Sequence, residues 1–277
     1  MRNYFLALIC LSAAVCAAQA QEMEPEWATP QTLKIPESIK YDPAREHIYV
    51  SNINGKSTEA DGNGFISRLS LEGEILDLKW VQGLSAPKGM DIQGDRLYVT
   101  DITRLVEIDL NEGKILSSYE AEGSRFLNDV AAGDSGIIYV SDTMAGIVFR
   151  FQGEKIKPWL ENDIKRPNGL FFGDQKLHVG CSGSIMVVEP ASGKVLNSIE
   201  IDFSVDGLVP DGKGGFLASD WRGKTVRIDS KGKQTVIMDT SSEKINSADI
   251  EYILEKSLLV IPTFMDNRAV AYRLGDE

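Results

Sequence analysis

Histidine and cysteine are scarce in this chain of 277 residues: it has two of the first and three of the second. His47 and His178 both lie beside or within predicted strands. They are too few for a histidine-based zinc site and poorly placed for a Ser-His-Asp triad. Two of the cysteines, Cys10 and Cys16, fall near the N-terminus, leaving Cys181 alone in the body of the chain, so no disulfide framework can hold the fold. Cys181 ends a predicted strand and reads as a packed thiol. Basic charge is also short, with 29 Lys and Arg against 41 Asp and Glu, a formal net charge of −12. Nucleic acid and anionic lipid are therefore poor partners on bulk electrostatics. Beyond the N-terminus no run is apolar enough to cross a bilayer. No stretch keeps apolar residues at spacings of three and four between helix caps, which argues against helices. Low-complexity tracts and Pro/Ser-rich linkers are missing too, so nothing divides the chain after its start.

That start is MRNYFLALICLSAAVCAAQAQ. One cation (Arg2), an apolar run over residues 4–15 and an A-x-A at 18–20 read as a signal peptide over residues 1–20, too short for a membrane span. A lipid anchor on Cys16 is the weaker alternative, because Val15 is bulkier than such a site accepts. The expected product is a single domain over 21–277, secreted or periplasmic.

What the chain does have is a repeat. Segments beginning at 36, 87, 127, 167, 205 and 245 share one pattern: a polar residue, a short apolar strand, an Asp/Gly turn, then a strand such as IYVSD. A third strand such as GIVFRF and a fourth such as GKILSSYE follow. Runs of four to six β-branched and aromatic residues between Gly/Asp turns are strands. Four strands per unit of about 40 residues, six times over, predict an all-β fold, a six-bladed β-propeller with antiparallel four-stranded blades. The last repeat has only three strands, and TPQTLKI at 29–35 is spare. Pairing that N-terminal segment with the last blade would close the ring and remove an open edge. The first interval carries about eleven extra residues, in a Gly-rich polar loop at 52–64 that reads either as a tolerated insertion or as a rim over the channel.

The residue before each inner strand converges on the propeller axis. Those six are Glu37, Lys88, Asn128, Asn168, Asp206 and Asn246. Turn chemistry explains the Asn-Gly and Asp-Gly pairs at 168–169 and 206–207, but not Glu37 or Lys88. Two carboxylates about 5 Å apart repel by about 3 kcal/mol at an effective dielectric near 20. A divalent cation with oxygen ligands would offset this, and so would Lys88. Both together would leave a positive site suited to an anionic ligand.

With PNGL at 167–170, LND at 127–129 and VDGLVPDGKGGFLASDW at 205–221, the chain resembles the SMP-30/gluconolactonase/LRE-like (regucalcin-type) family over nearly its whole mature length. The resemblance implies a divalent cation held by Glu37, Asn168 and Asp206, Ca²⁺ first, with Zn²⁺, Mg²⁺ or Mn²⁺ as alternatives. It also implies Asn128 beside them toward substrate, and hydrolysis of a sugar lactone or other cyclic ester with Asp206 as base. Lys88 and Arg125 are the further candidates for an anionic small-molecule substrate. The chain departs from the family pattern where Ser38 and Ile39 replace a Gly-Pro after Glu37, where Phe126 replaces an Arg, and where Lys88 enters the ring. A non-catalytic NHL-like propeller that binds a small ligand or protein partner is the alternative reading.

Other motifs carry less. Asn54 to Ser57 resembles the end of a phosphate-binding loop but lacks its first Gly and its helix. Asp61, Gly62 and Asn63 resemble part of a calcium loop without the closing Glu. Asp101, Asp142 and Asp220 end second strands and read as structural acceptors for loop amides. Arg125, Arg166 and Arg222 fall near the channel mouth.

Overall fold

A strand packed on both faces needs no polar side, and the IYV-type runs behave accordingly: Ile138–Asp142 and Leu258–Pro262 are buried at every residue. Outer strands such as Lys114–Glu120 expose most of theirs. In the computed structural model, which describes residues 23–275, these runs form six four-stranded antiparallel sheets. The fold is a six-bladed β-propeller. The expected leader at 1–20 lies outside the described residues.

Blade 1 runs outward from the axis as Pro36–Asp42, His47–Asn52, Gly64–Leu69 and Ile75–Leu84. The next four inner strands are Pro87–Gln93, Leu127–Ala132, Leu170–Gly173 and Leu208–Pro210, each followed outward by three more strands. Blade 6 contributes Glu251–Ile253, Leu258–Pro262 and Ala269–Arg273.

The N-terminal strand closes the ring, but not where the spare segment predicts. Trp27–Ala28 is the outer strand of blade 6, with Trp27 opposite Ala271 and Ala28 opposite Val270. The ladder ends at the bond from Thr29 N–H to Ala269 O, 2.9 Å. Pro30 has no N–H to continue it, and residues 29–35 turn across to blade 1, with Ile35 at φ 53°. The Trp27 indole donates to Leu71 O at 2.9 Å, tying the closing strand to blade 1 as well.

One apolar cluster fills each blade interface. Leu33, Ile48 and Val50 of the first blade side meet Val260 and Ala271 of the last. Tyr49, Ile66 and Leu84 meet Leu97 and Val99 across the next interface, with Tyr49 4.8 Å from Trp80. The cores thus lie between sheets, as in any face-to-face packing, and the axis is left to polar groups.

Candidate functional site

The ring residues owe their direction to a local irregularity. In blades 1 to 3 the inner strand slips register by one residue between Pro36 and Ile39, Pro87 and Met90, and Leu127 and Val130. Each slip is a bulge, which re-aims a side chain and releases a ladder N–H. A hydroxyl from the second strand takes that N–H: Ser51 accepts from Ser38 N–H at 2.9 Å and Ser141 from Asp129 N–H at 2.9 Å. In blade 5 Ser219 does the same for Gly207 N–H at 2.8 Å. Sequence reasoning missed this role. Its signal is the Ser that precedes the strand-ending Asp or Asn in YVSN, YVSD and LASD.

Gly169 also serves differently from expectation. Neither it nor Asn168 has positive φ, so Asn168 and Gly169 do not form a left-handed turn. A Cβ on Gly169 would stand 2.6 Å from Asp206 O and 2.9 Å from Leu208 N. The glycine is there because two inner segments approach closely near the axis.

Around the axis, Glu37, Lys88, Asn128, Asp206 and Asn246 are buried and Asn168 half-buried. Asn168 Nδ2 donates to Asp206 Oδ1 at 2.5 Å. Burial raises the Asp206 carboxyl from 3.8 to about 7, against the lowering effect of that hydrogen bond. Burial also pushes Glu37 well above the carboxylate range, helped by the Asp206 charge and opposed by Lys88. Glu37 Oε2 and Asp206 Oδ2 are both buried without a hydrogen-bond partner. Lys88 is 1% exposed; its Nζ donates to Ala86 O at 3.0 Å and lies 4.4 Å from the centre of the Phe126 ring. Burial lowers it to about 8, with Glu37 pulling the other way.

The remaining candidates divide. Asn128 Nδ2 donates to Thr143 Oγ1 at 3.1 Å, and Thr143 in turn to Pro167 O at 2.8 Å. Asn246 bridges two mouth loops, donating to Trp221 O at 2.8 Å and accepting from Met265 N–H at 3.4 Å. Arg125 stays outside the ring, exposed on a mouth loop whose amide donates to Asp142.

Orphaned, buried carboxylate oxygens are hard-cation ligands, so the Glu37, Asn168 and Asp206 set fits a divalent ion. Among the described residues no group of three or more His, Cys, Asp or Glu is gathered for a metal. A cation here therefore depends on the Asn168 amide beside two carboxylates.

Sequence reasoning also missed a second belt of charge further down the channel. Lys40 pairs with Asp91 at 3.0 Å and Glu251 at 3.5 Å. Burial pulls its ammonium down, but those carboxylates outweigh it and hold it above its usual range. Asp129 accepts from Val130 and Leu170 N–H at 2.7 and 2.6 Å, and burial lifts it to about 8. Asp249 accepts from Ser38 Oγ at 2.5 Å, and burial raises it as well. These groups line a cavity of about 290 Å³ whose wall is completed by Phe171, Pro210, Tyr252 and Leu254. Its sequence signal was weak: acids one, three or five residues past the ring positions.

Asp101 and Asp142 are structural acceptors, as expected. Asp142 takes the N–H groups of Arg125, Phe126, Met144 and Ala145, and Asp101 those of Ser85 and Ala86. Asp220 takes that of Arg222. Cys181, in the corresponding place of blade 4, is buried and its thiol is pushed by burial to about 12. The 52–64 loop leans on blade 2, Gly62 N–H donating to Ser85 Oγ at 3.3 Å.

No known family profile and no curated protein sequence matches the chain. Solved structures do. A gluconolactonase of Xanthomonas campestris superposes with a TM-score of 0.66 at 17% identity, over 94% of this chain and 93% of that one. A streptogramin B lyase gives 0.64 at 11% identity, over 87% and 93%. Virginiamycin B lyase of Staphylococcus aureus gives 0.61 at 13%, over 87% and 95%. At these identities the likeness establishes a shared architecture, the six-bladed propeller, and no more.

Proposed function

We propose that this chain is an exported, divalent-cation-dependent hydrolase of lactone or other cyclic-ester type, with its centre at the upper ring. The observation that carries the reading is the pair of buried, unpartnered oxygens, Glu37 Oε2 and Asp206 Oδ2, the second on the carboxylate that the Asn168 amide holds. Leaving two such oxygens bare is costly unless a cation or protons occupy them. The likeness in fold to a gluconolactonase is in keeping with it.

Glu37, Asn168 and Asp206 would hold the ion, Ca²⁺ by preference for an all-oxygen set. When bound, such an ion supplies Lewis acidity toward an ester carbonyl. Asp206 takes the proton from an attacking water, and Asn168 fixes its orientation. The water oxygen bonds to the acyl carbon, the ring C–O bond breaks, and the proton passes to the leaving oxygen, giving a hydroxy acid. Asn128, anchored on Thr143, keeps its amide oxygen and second N–H for the substrate. Lys88 balances Glu37 and supplies positive charge for a developing anion. Arg125 reaches an anionic substituent from the mouth.

Metal analysis of protein purified without chelator, followed by a lactone panel on wild type and Asp206→Ala, tests the reading. Bound divalent ion and turnover lost in the variant support it. If no divalent ion binds and thermal stability ignores EDTA, the hydrolase reading is abandoned for a ligand- or partner-binding propeller.

A further inference from the structure

The mouth above the ring carries exposed apolar side chains as well as the exposed Arg125. At the Lys88 seat the Phe126 ring lies 4.4 Å from Nζ. At the Asn128 seat Thr143, which takes the Asn128 amide, is followed by Met144, 50% exposed. The Asn246 side chain ties two mouth loops together, and from those loops rise Trp221, 43% exposed, and Met265, 63% exposed. Phe264 meets the Trp221 indole edge-on at 5.4 Å, across the interface between blades 5 and 6. Most other exposed large apolar side chains, Leu78, Leu116 and Leu196 among them, sit on fourth strands at the propeller's outer rim. The mouth groups form a separate set, gathered at three of the six ring positions.

We propose that this rim selects lipophilic cyclic esters, namely lactones carrying an alkyl chain, the ester seated on the ring and the chain lying against Phe126, Met144, Trp221 and Met265. The proposal names the substrate class of the hydrolase reading and rests on it. A polyol such as gluconolactone would set hydroxyls against Met, Trp and Phe side chains that offer no acceptor and, apart from the indole N–H, no donor, which a selective site avoids. An alkyl chain instead removes apolar surface from water on both sides. Methionine and tryptophan suit the task, being adaptable and large.

The test uses the full chain supplied with Ca²⁺ and a δ-lactone series of increasing alkyl length, with glucono-δ-lactone as the polar member. kcat/KM should rise about two- to fourfold per added methylene, the range for partial to full burial of a CH₂, and every alkyl member should outrun gluconolactone. The double variant Trp221→Ser/Met265→Ser, exposed and expected to fold, should flatten that dependence. Leu116→Ser, on an outer strand, should leave it unchanged. A parallel titration with uncleavable δ-alkyl lactams, read by calorimetry, follows binding without hydrolysis. Gluconolactone turned over faster than the alkyl lactones overturns this proposal and leaves the hydrolase standing. No turnover, with lactam affinity rising with chain length and lost in the double variant, overturns the hydrolase and keeps the apolar rim as a binding site. Neither turnover nor lactam binding overturns both.

Discussion

Replacing Asp206 with Asn isolates the electrostatic cost of the ring, because it keeps the shape and the hydrogen bond from Asn168 while removing the charge. Burial lifts the folded-state carboxyl from 3.8 to about 7. Between those values the folded chain holds a proton that the unfolded chain has released, so metal-free stability falls as pH rises through that window and levels off above it. The full effect is about 4 kcal/mol at about 1.4 kcal/mol per tenfold step, and about 1.5 kcal/mol of it is already spent at pH ~5. The stability of Asp206→Asn relative to wild type should therefore improve by about 2–3 kcal/mol between pH ~5 and pH ~8, whatever constant offset the substitution brings. Urea unfolding in EDTA at the two pH values measures it. Glu37 and Asp129 are raised in the same direction, so the variant keeps a shallower slope. Adding Ca²⁺ at about 100 times its Kd should then stabilise wild type by about 2.7 kcal/mol and the variant far less. A constant difference between variant and wild type across pH would show that Asp206 is not a strained buried acid, and the cation argument built on it would fall.

Four further outcomes follow from named contacts. Lys88→Met should tighten divalent-ion binding tenfold or more in a calorimetric titration, by removing a buried positive charge from beside Glu37. It should also abolish the rise in stability between about pH 8 and 10.5 that the burial-lowered ammonium gives wild type. Gly169→Ala places a Cβ 2.6 Å from the Asp206 carbonyl and should cost about 2 kcal/mol or more in urea unfolding, together with the response to Ca²⁺. Asp142→Ala leaves four loop N–H groups without their acceptor and should cost about 3 kcal/mol or more. Removal of everything before residue 30 exposes the Ala269–Arg273 edge and should lower Tm and promote self-association, seen by light scattering.

The architecture was readable because a propeller repeats its instructions. Each blade interface needs one buried middle strand and one inner strand, so the same apolar runs recur and reinforce one another. The ring positions were readable for the same reason: Glu37, Lys88 and Asp206 stand in register with asparagines and cannot all be turn formers. Closure was legible in principle but misplaced by a few residues, because a two-residue strand ended by Pro30 has almost no periodicity. The bulges left no mark on the inner strands themselves, and only the Ser on the partner strand records them. The lower belt was hidden because Asp91, Asp129, Asp249 and Glu251 come from blades 2, 3 and 6, and pairing across the axis has no spacing in sequence. Nor does sequence distinguish Gly169 as a turn from Gly169 as a close approach; that depends on where the next blade lies.

The two belts differ in how their charge is settled. In the lower one Lys40 is flanked by Asp91 and Glu251, while Asp129 and Asp249 accept hydrogen bonds, so most charges meet a partner within the protein. In the upper one the available cation, Lys88, gives its hydrogen bond to a backbone carbonyl and its face to Phe126, leaving Glu37 Oε2 and Asp206 Oδ2 bare. A purely structural ring would gain by pairing Lys88 directly with one of those oxygens, since a buried charge left without its partner is the costlier arrangement. The ring keeps the amine and the carboxylate oxygens apart instead, and burial pushes both Asp206 and Lys88 toward their neutral forms. Groups held in that state are suited to meeting a cation and a substrate rather than each other.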